Sequence, residues 1–120
     1  FSEHQVMGWF AQIALALDFI HLQRVLHRDL KTSNIFLQGS LLKLGDFGIA
    51  RVLEFTLDNA STMVGTPGYM SPEVCRNEPY NWKSDVWALG CVLYELCALR
   101  PPFEAPAPLQ LIQKIVGDNF

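Results

Sequence analysis

Residues 25–37, VLHRDLKTSNIFL, place a histidine, an arginine, an aspartate, a lysine and an asparagine within eight positions, between apolar flanks. Unpaired charges are too costly to bury, so these side chains cannot lie in a core without partners. A plain surface loop has no need of apolar segments on both sides. The pattern therefore predicts a polar loop that buried elements hold in place, which is how functional sites are commonly built.

The residue types in and after this loop suit the handling of phosphate groups. Asp29, Lys31 and Asn34 share the loop, and a DFG tripeptide that supplies Asp46 and Gly48 follows a short predicted hairpin. Oxygens from Asn34 and Asp46 are hard ligands of the kind that bind Mg²⁺ beside substrate phosphates. Asp29 can orient a hydroxyl group and accept its proton, while Lys31 can offset charge on a transferred phosphoryl group. Gly48 permits a sharp turn after the second ligand.

Apolar periodicity predicts the elements on either side of the loop. Apolar residues three and four positions apart predict a helix from Ser2 to about Gln23. Two short apolar runs, 35–37 and 41–44, predict a small β-hairpin. Residues 47–81 lack sustained periodicity and carry glycine, proline, serine and threonine, so we expect mainly loop there.

The last third of the chain predicts two more helices. Residues 83–98 are apolar on nearly all faces, which is typical of a helix buried in the middle of a domain. Its main stripe is formed by Val86, Leu89, Leu93 and Leu96. A final amphipathic segment carries apolar residues at Leu109, Ile112, Ile115 and Val116. The expected fold class is α+β, mostly helical with one small hairpin.

Composition limits the partners and the compartment. The chain has 120 residues, of which 50% are hydrophobic and 18% charged, and its net charge of −3 includes no basic stripe, so nucleic acid is not expected as a partner. In the C-terminal half, the longest uncharged apolar stretch, 86–94, is far below the roughly 20 residues of a membrane span, so no membrane association is expected. Three cysteines without a C-x-x-C pair indicate reduced thiols. We expect an intracellular, cytoplasmic protein, with nuclear or cytoskeletal association left open.

Four segments stand in a fixed order: HRDLKTSN, then DFG twelve residues after the asparagine, then GTPGYMSPE, then SDVWALG. In this order and spacing they resemble the catalytic domain of eukaryotic protein kinases. The resemblance covers the whole chain and implies that residues 1–120 are a partial kinase domain, namely its mostly helical C-terminal lobe with a small hairpin. It also implies ATP and Mg²⁺ as cofactors and proteins as substrates.

The resemblance assigns catalytic and cofactor-binding roles to matching positions. Asp29 is implied as the catalytic base and Lys31 as the lysine that contacts the transferred phosphate. Asn34 and Asp46 are implied as Mg²⁺ ligands, and Phe36 as the floor under the adenine of ATP. Two residues of the second long helix are expected beneath that floor: Val92 and Leu96.

Structural roles follow from the same resemblance. His27 and Phe47 are expected to stack in the hydrophobic column that aligns the two kinase lobes. Asp85 is expected to anchor the backbone of the catalytic loop to the buried helix. Glu73 normally pairs with an arginine further along a kinase chain, and Arg100 is the only suitable later arginine here. We therefore expect this partner to be missing.

Regulatory and substrate-type roles are also implied. Arg28 precedes the catalytic aspartate, and such an arginine can pair with a phosphorylated activation loop. Thr62 lies four residues before Thr66, at the position phosphorylated in similar kinases, and Ser61 is its competitor. Thr66 is grouped with these regulatory positions; together with Lys31 it resembles serine/threonine kinases rather than tyrosine kinases. Among these, KLGDFGIAR, MVGTPGYMSPE and SDVWALGCVLYELCALRPPFEA are most similar to the NIMA-related kinases.

Features of the N-terminal lobe are missing from these 120 residues. There is no glycine-rich phosphate loop, no strand lysine for the α and β phosphates and no adenine hinge. We expect these to precede Phe1 in a longer protein, and we expect the isolated chain to be inactive or nearly so.

The main alternative is a non-catalytic interaction module, either a truncated kinase or a pseudokinase. The intact set of Asp29, Lys31, Asn34 and Asp46 weighs against a pseudokinase, because binding alone does not require these side chains. Truncation stays open. A further alternative is that Asp29, Asn34 and Asp46 only cap the loop, but the context of the motifs favours the catalytic interpretation.

Overall fold

The computed structural model describes residues 1–45 and 66–117. In chain order its elements are helix α1 (Glu3–Leu22), strands β1 (Ile35–Gln38) and β2 (Leu41–Leu44), and helices α2 (Pro72–Cys75), α3 (Trp82–Ala98) and α4 (Pro108–Gly117). Single 3₁₀ turns lie at Thr32–Asn34 and Pro67–Tyr69. The two strands form an antiparallel sheet. The predicted α+β class, mostly helical with one small hairpin, is confirmed.

Helix α1 precedes the polar loop, and both of its ends are capped by hydrogen bonds. Its N-cap is Ser2, whose side chain accepts a hydrogen bond from the backbone of the first turn. At the other end Arg24 takes a left-handed conformation with φ 59°. The amides of Arg24 and Val25 then bond back to the carbonyls of His21 and Ile20, both at 2.9 Å. The predicted limits, Ser2 to Gln23, match these caps.

The hairpin lies beside α1 and is tied to it by one side chain. Gly39 has φ 63°, so the two-residue turn needs a residue that tolerates a left-handed backbone. Strand β1 includes Gln38, one residue more than predicted. The Gln12 side chain donates to the carbonyl of Ser40 at 3.0 Å and accepts from the amide of Leu42 at 2.9 Å. These bonds fix the hairpin on the helix.

The core forms where α3 packs against α1 and the polar loop. Its buried members are Ile13, Leu17, Leu30, Ala88, Leu89 and Val92. A second cluster joins α3 to α4 through Cys91, Phe103 and Ile115.

The predicted burial of α3 on all faces is wrong. Val86 is 46% exposed and Tyr94 is 38% exposed, while the buried side begins with the polar residues Ser84 and Asp85. Among the described residues, α1, the polar loop and the second cluster around Phe103 and Ile115 cover α3, and Val86 and Tyr94 lie on the side that they leave open. Hydrophobic periodicity did not identify the buried face of α3, because two residues of that face, Ser84 and Asp85, are polar.

Among the described residues, α1 is long and apolar enough to cross a membrane by length and composition. One such helix is weak support for a membrane span, because core helices of other proteins pass the same test. Here Val6, Ile13 and Leu17 of α1 are buried against the rest of the chain.

Candidate active site

One buried carboxylate holds the polar loop on α3. Asp85 is fully buried, and its Oδ2 atom accepts a hydrogen bond from the backbone amide of His27 at 2.9 Å. Its Oδ1 atom accepts from the amide of Arg28 at 3.1 Å. The ring nitrogen Nε2 of His21 lies 2.7 Å from Oδ2, and the Tyr80 hydroxyl donates to Oδ1. Four polar contacts thus offset the cost of burying this charge.

The same contacts hold an unusual backbone conformation in place. Arg28 has φ 68°, a region that non-glycine residues adopt at some cost. Its amide points at Asp85, and its guanidinium carbon lies 6.0 Å from the ring centre of Tyr80. Burial and the neighbouring Asp85 carboxylate raise the pKa of Tyr80 far above its ordinary value, so its hydroxyl remains a donor. The contributions of His21 and Tyr80 were not predicted from the sequence.

The side chain of Asp29 lies at the centre of a polar cluster. Lys31 Nζ is 3.2 Å from Asp29 Oδ2 and donates to Thr66 Oγ1 at 2.9 Å. The Thr66 hydroxyl donates to Asp29 Oδ1 at 3.3 Å. Asp29 keeps 14% of its side chain exposed, so the carboxylate is oriented by neighbours yet still reachable. The structure therefore brings Asp29, Lys31 and Thr66 together.

Asn34 is the part of the predicted metal site that the structure describes. It is buried, and its amide nitrogen donates to the backbone oxygen of Asp29 at 2.8 Å and to Oδ2 at 3.3 Å. Because the side-chain nitrogen of Asn34 is hydrogen-bonded to Asp29, the side-chain oxygen of Asn34 is the atom suited to a hard cation such as Mg²⁺. Within residues 1–45 and 66–117 no group of three histidine, cysteine, aspartate or glutamate residues could hold a metal.

Phe36 lies on the exposed face of the hairpin and is 55% exposed. Its ring covers Gly45, where a Cβ atom would come within 2.4 Å of the ring. Strand alternation turns Ile35 to the opposite face, where it lines one groove with Val92 and Leu96. Ile35 therefore shares an apolar groove with these two residues on the face opposite Phe36, and the role of Phe36 as the floor under the adenine stays a prediction.

Several predicted residues lie outside the described part of the chain: Asp46, Phe47, Gly48, Ser61 and Thr62. His27 is described and fully buried, and its Nδ1 atom accepts from the amide of Asp29 at 3.3 Å. Thr66, grouped with the regulatory positions, lies beside Asp29.

Glu73 accepts a hydrogen bond from a serine of helix α3. Its Oε1 atom accepts a hydrogen bond from the Ser84 hydroxyl at 2.6 Å, in the N-terminal capping box of α3. Burial raises the pKa of Glu73, but hydrogen bonds from Ser84 and the backbone outweigh burial and hold the pKa below its ordinary value. Arg100 instead lies 5.7 Å from the ring centre of Tyr94. Ser84 is thus the hydrogen-bond partner of Glu73 among the described residues, and the expectation that the arginine partner is missing stays a prediction.

A second polar cluster was missed by the sequence. Tyr69 donates to Oε2 of Glu95 on α3, and Thr32 from the polar loop donates to Oε1 at 3.3 Å. The hydroxyls of Thr32 and Tyr69 are 3.0 Å apart. Residues so distant along the chain leave no local pattern, and none of the three residue types signals such a contact by itself.

Comparison with known proteins agrees with this geometry. The family model described as "Protein kinase domain" matches residues 1–119. The chain is 57% identical to "Serine/threonine-protein kinase Nek5" of Homo sapiens, over 100% of this chain and 17% of that protein. It is 55% identical to "Serine/threonine-protein kinase Nek1" of Mus musculus, over 100% of this chain and 10% of that protein.

Human "Serine/threonine-protein kinase Nek11" is 48% identical over 99% of this chain and 19% of that protein. The chain thus spans between about a tenth and a fifth of the length of these curated relatives. Their names confirm the predicted resemblance to the NIMA-related kinases. With a family model matched over nearly its whole length, the chain belongs to the protein kinase domain family.

Proposed function

We propose that the full-length protein containing this chain transfers the γ-phosphate of ATP to serine and threonine hydroxyls of protein substrates. The observation that carries the proposal is the cluster around Asp29. There a reachable carboxylate, a lysine and a hydroxyl lie within 3.3 Å of one another. Kinase catalysis depends mainly on positioning and on electrostatic stabilisation, and such a cluster supplies both.

In this mechanism the acceptor hydroxyl binds beside Asp29. The Asp29 carboxylate orients that hydroxyl and accepts its proton as the hydroxyl oxygen bonds to the γ-phosphorus and the bond from that phosphorus to the ADP leaving group breaks. Lys31 Nζ, already shared between Asp29 and Thr66, balances negative charge on the phosphoryl group. Asp85 holds the loop backbone in position beneath these side chains through the amides of His27 and Arg28.

The cofactors of the proposal are ATP and Mg²⁺. The described residues fit them in part: the amide oxygen of Asn34 is suited to a metal ion, and Asp46 is assigned as the second ligand from the sequence alone. When bound, Mg²⁺ neutralises phosphate charge. The exposed face of Phe36 offers an apolar surface for the adenine ring.

The finer assignments rest on resemblance. Lys31 and Thr66, which marked the serine/threonine class in the sequence, contact each other at 2.9 Å. A NIMA-related kinase is the subfamily we propose, in line with the relatives. We also propose a cytoplasmic location, in keeping with the free thiols of Cys75, Cys91 and Cys97.

The test compares two aspartate-to-asparagine variants of the full-length protein. Asp29→Asn is expected to lower kcat by at least about 100-fold, because the amide cannot accept the proton. Asp18→Asn removes the same charge from the exposed side of α1 and is expected to keep the wild-type rate. Equal rates for Asp29→Asn and wild type would contradict the proposed mechanism.

A further inference from the structure

The cluster of Thr32, Tyr69 and Glu95 joins three separate parts of the molecule. Thr32 belongs to the polar loop, Tyr69 to the 3₁₀ turn Pro67–Tyr69, and Glu95 to α3. The contacts are Tyr69 to Glu95 Oε2, Thr32 to Glu95 Oε1 at 3.3 Å, and Thr32 to Tyr69 at 3.0 Å. All three residues are half-buried, so these contacts compete only partly with water.

This cluster is the second of two links between the same pair of segments. The first link joins Asp29 and Lys31 to Thr66, and the second joins Thr32 to Tyr69. In the 66–69 segment the two links are three residues apart, at Thr66 and Tyr69. In the polar loop, Thr32 lies three residues after Asp29 and one after Lys31. Two links at separated points fix both the distance and the angle between the segments, whereas one link would leave rotation free.

Helix α3 supports the loop from both directions. Asp85 in its first turn holds the backbone before Asp29, and Glu95, ten residues later, holds the side chain that follows Lys31. Ten residues of α-helix span about 15 Å, so these two acceptors bracket the catalytic positions on a rigid element.

The count of hydroxyl protons in the cluster shows that its contacts depend most on Thr32. Tyr69 donates its single hydroxyl proton to Glu95. Burial of Tyr69 and this bond raise the pKa of the Tyr69 hydroxyl, so the proton remains bound. The Thr32 hydroxyl therefore supplies the proton for its own contacts, to Glu95 or to the Tyr69 oxygen. A methyl group in place of this hydroxyl removes both contacts without changing side-chain size.

We propose that Thr32 is a positioning residue for phosphoryl transfer: through Tyr69 and Glu95 its hydroxyl sets the position of Asp29 and Lys31 relative to the 66–69 segment. This inference rests on the proposed kinase activity. Small displacements of catalytic groups have large rate effects, so Thr32 acts on the chemical step without contacting substrate.

The test uses three variants of the full-length protein. Thr32→Val is expected to lower kcat about tenfold, with the KM for ATP and the thermal unfolding midpoint unchanged. Thr32→Ser, which keeps the hydroxyl, is expected to restore most of the rate. Ser33→Ala removes a hydroxyl from the exposed neighbouring residue and is expected to behave as wild type.

A double variant tests the coupling. If Thr32 acts through Tyr69, Tyr69→Phe lowers kcat much less in the Thr32→Val background than in wild type. Additive effects, or equal kcat for Thr32→Val and Ser33→Ala in an active enzyme, would overturn the role of Thr32 while the proposed function stands. A wild-type protein that transfers no phosphate would overturn both.

Discussion

Asp85 shows how much one residue contributes to the arrangement of the catalytic loop. Its two oxygens meet two backbone amides, a histidine and a tyrosine, and this lets Arg28 keep its positive φ. The motif SDVWALG was enough to predict Asp85 as the anchor of the loop. It was not enough to predict His21 or Tyr80, because their contacts depend on how α1 ends and how the chain enters α3.

The regulatory prediction concerns Thr62 and Arg28. We expect phosphorylation of Thr62 to create a partner for the Arg28 guanidinium, which in the structure lies against the Tyr80 ring. Thr62→Ala in the full-length protein should therefore lower activity several-fold, as a charge-assisted pair is lost. The rate of peptide phosphorylation measures this, with Ser61→Ala as the matched control. Unchanged activity of Thr62→Ala would refute the assignment.

Between elements, the bond from Ser84 to Glu73 predicts a pH dependence. The pKa of Glu73 is lowered in the folded state, so this carboxylate stabilises the fold above its unfolded pKa of about 4.3. That contribution is lost as the pH falls through the lower folded pKa. Thermal unfolding of the full-length protein, followed from about pH 7 down to about pH 2, should show a smaller acid-induced loss of stability for Glu73→Gln than for wild type. An identical acid-induced loss of stability in both proteins would show that Glu73 contributes nothing to this pH dependence.

Two glycines of the hairpin give opposite predictions. A Cβ atom at Gly45 would displace the Phe36 ring, so Gly45→Ala is expected to raise the KM for ATP several-fold with little loss of stability. Gly39 has open space around it but a positive φ, so Gly39→Ala should cost about 1 kcal/mol of stability and leave the KM for ATP unchanged. Steady-state kinetics and denaturant unfolding separate the two effects. A reversed pattern would contradict the role of Phe36.

Element by element, the sequence predicted most of the fold. Helix α1, the hairpin and the limits of α3 follow from periodicity and caps, because these signals are local. The buried face of α3 was predicted wrongly, since Ser84 and Asp85 lie on it and polar residues do not register as core. The cluster of Thr32, Tyr69 and Glu95 was also missed, because it exists only after three distant segments have met.

At the scale of the whole molecule, the described residues leave apolar surface uncovered. On α1, Leu15 is 70% exposed, Phe19 63% and Leu22 72%, and these residues follow one another along one side of the helix. Exposed stripes of this kind usually mark contact surfaces. Together with the short span relative to the relatives, this favours a chain that works within a larger protein.

The isolated 120-residue chain is therefore expected to bind ATP weakly and to transfer no measurable phosphate. Calorimetry with Mg²⁺ and ATP, and a phosphorylation assay on a serine-containing protein, measure the two properties. The full-length protein is the control for both. Robust phosphorylation by the isolated chain would contradict the expectation that an N-terminal lobe is required.

The most direct measurement is the phosphorylation of a protein substrate by the purified full-length protein with Mg²⁺ and ATP, with the modified residues identified by mass spectrometry. We expect phosphoserine and phosphothreonine, no phosphotyrosine, and a rate that depends on Asp29. Tight binding of Mg²⁺ and ATP without any phosphate transfer would contradict the proposed kinase activity and would favour a non-catalytic interaction module.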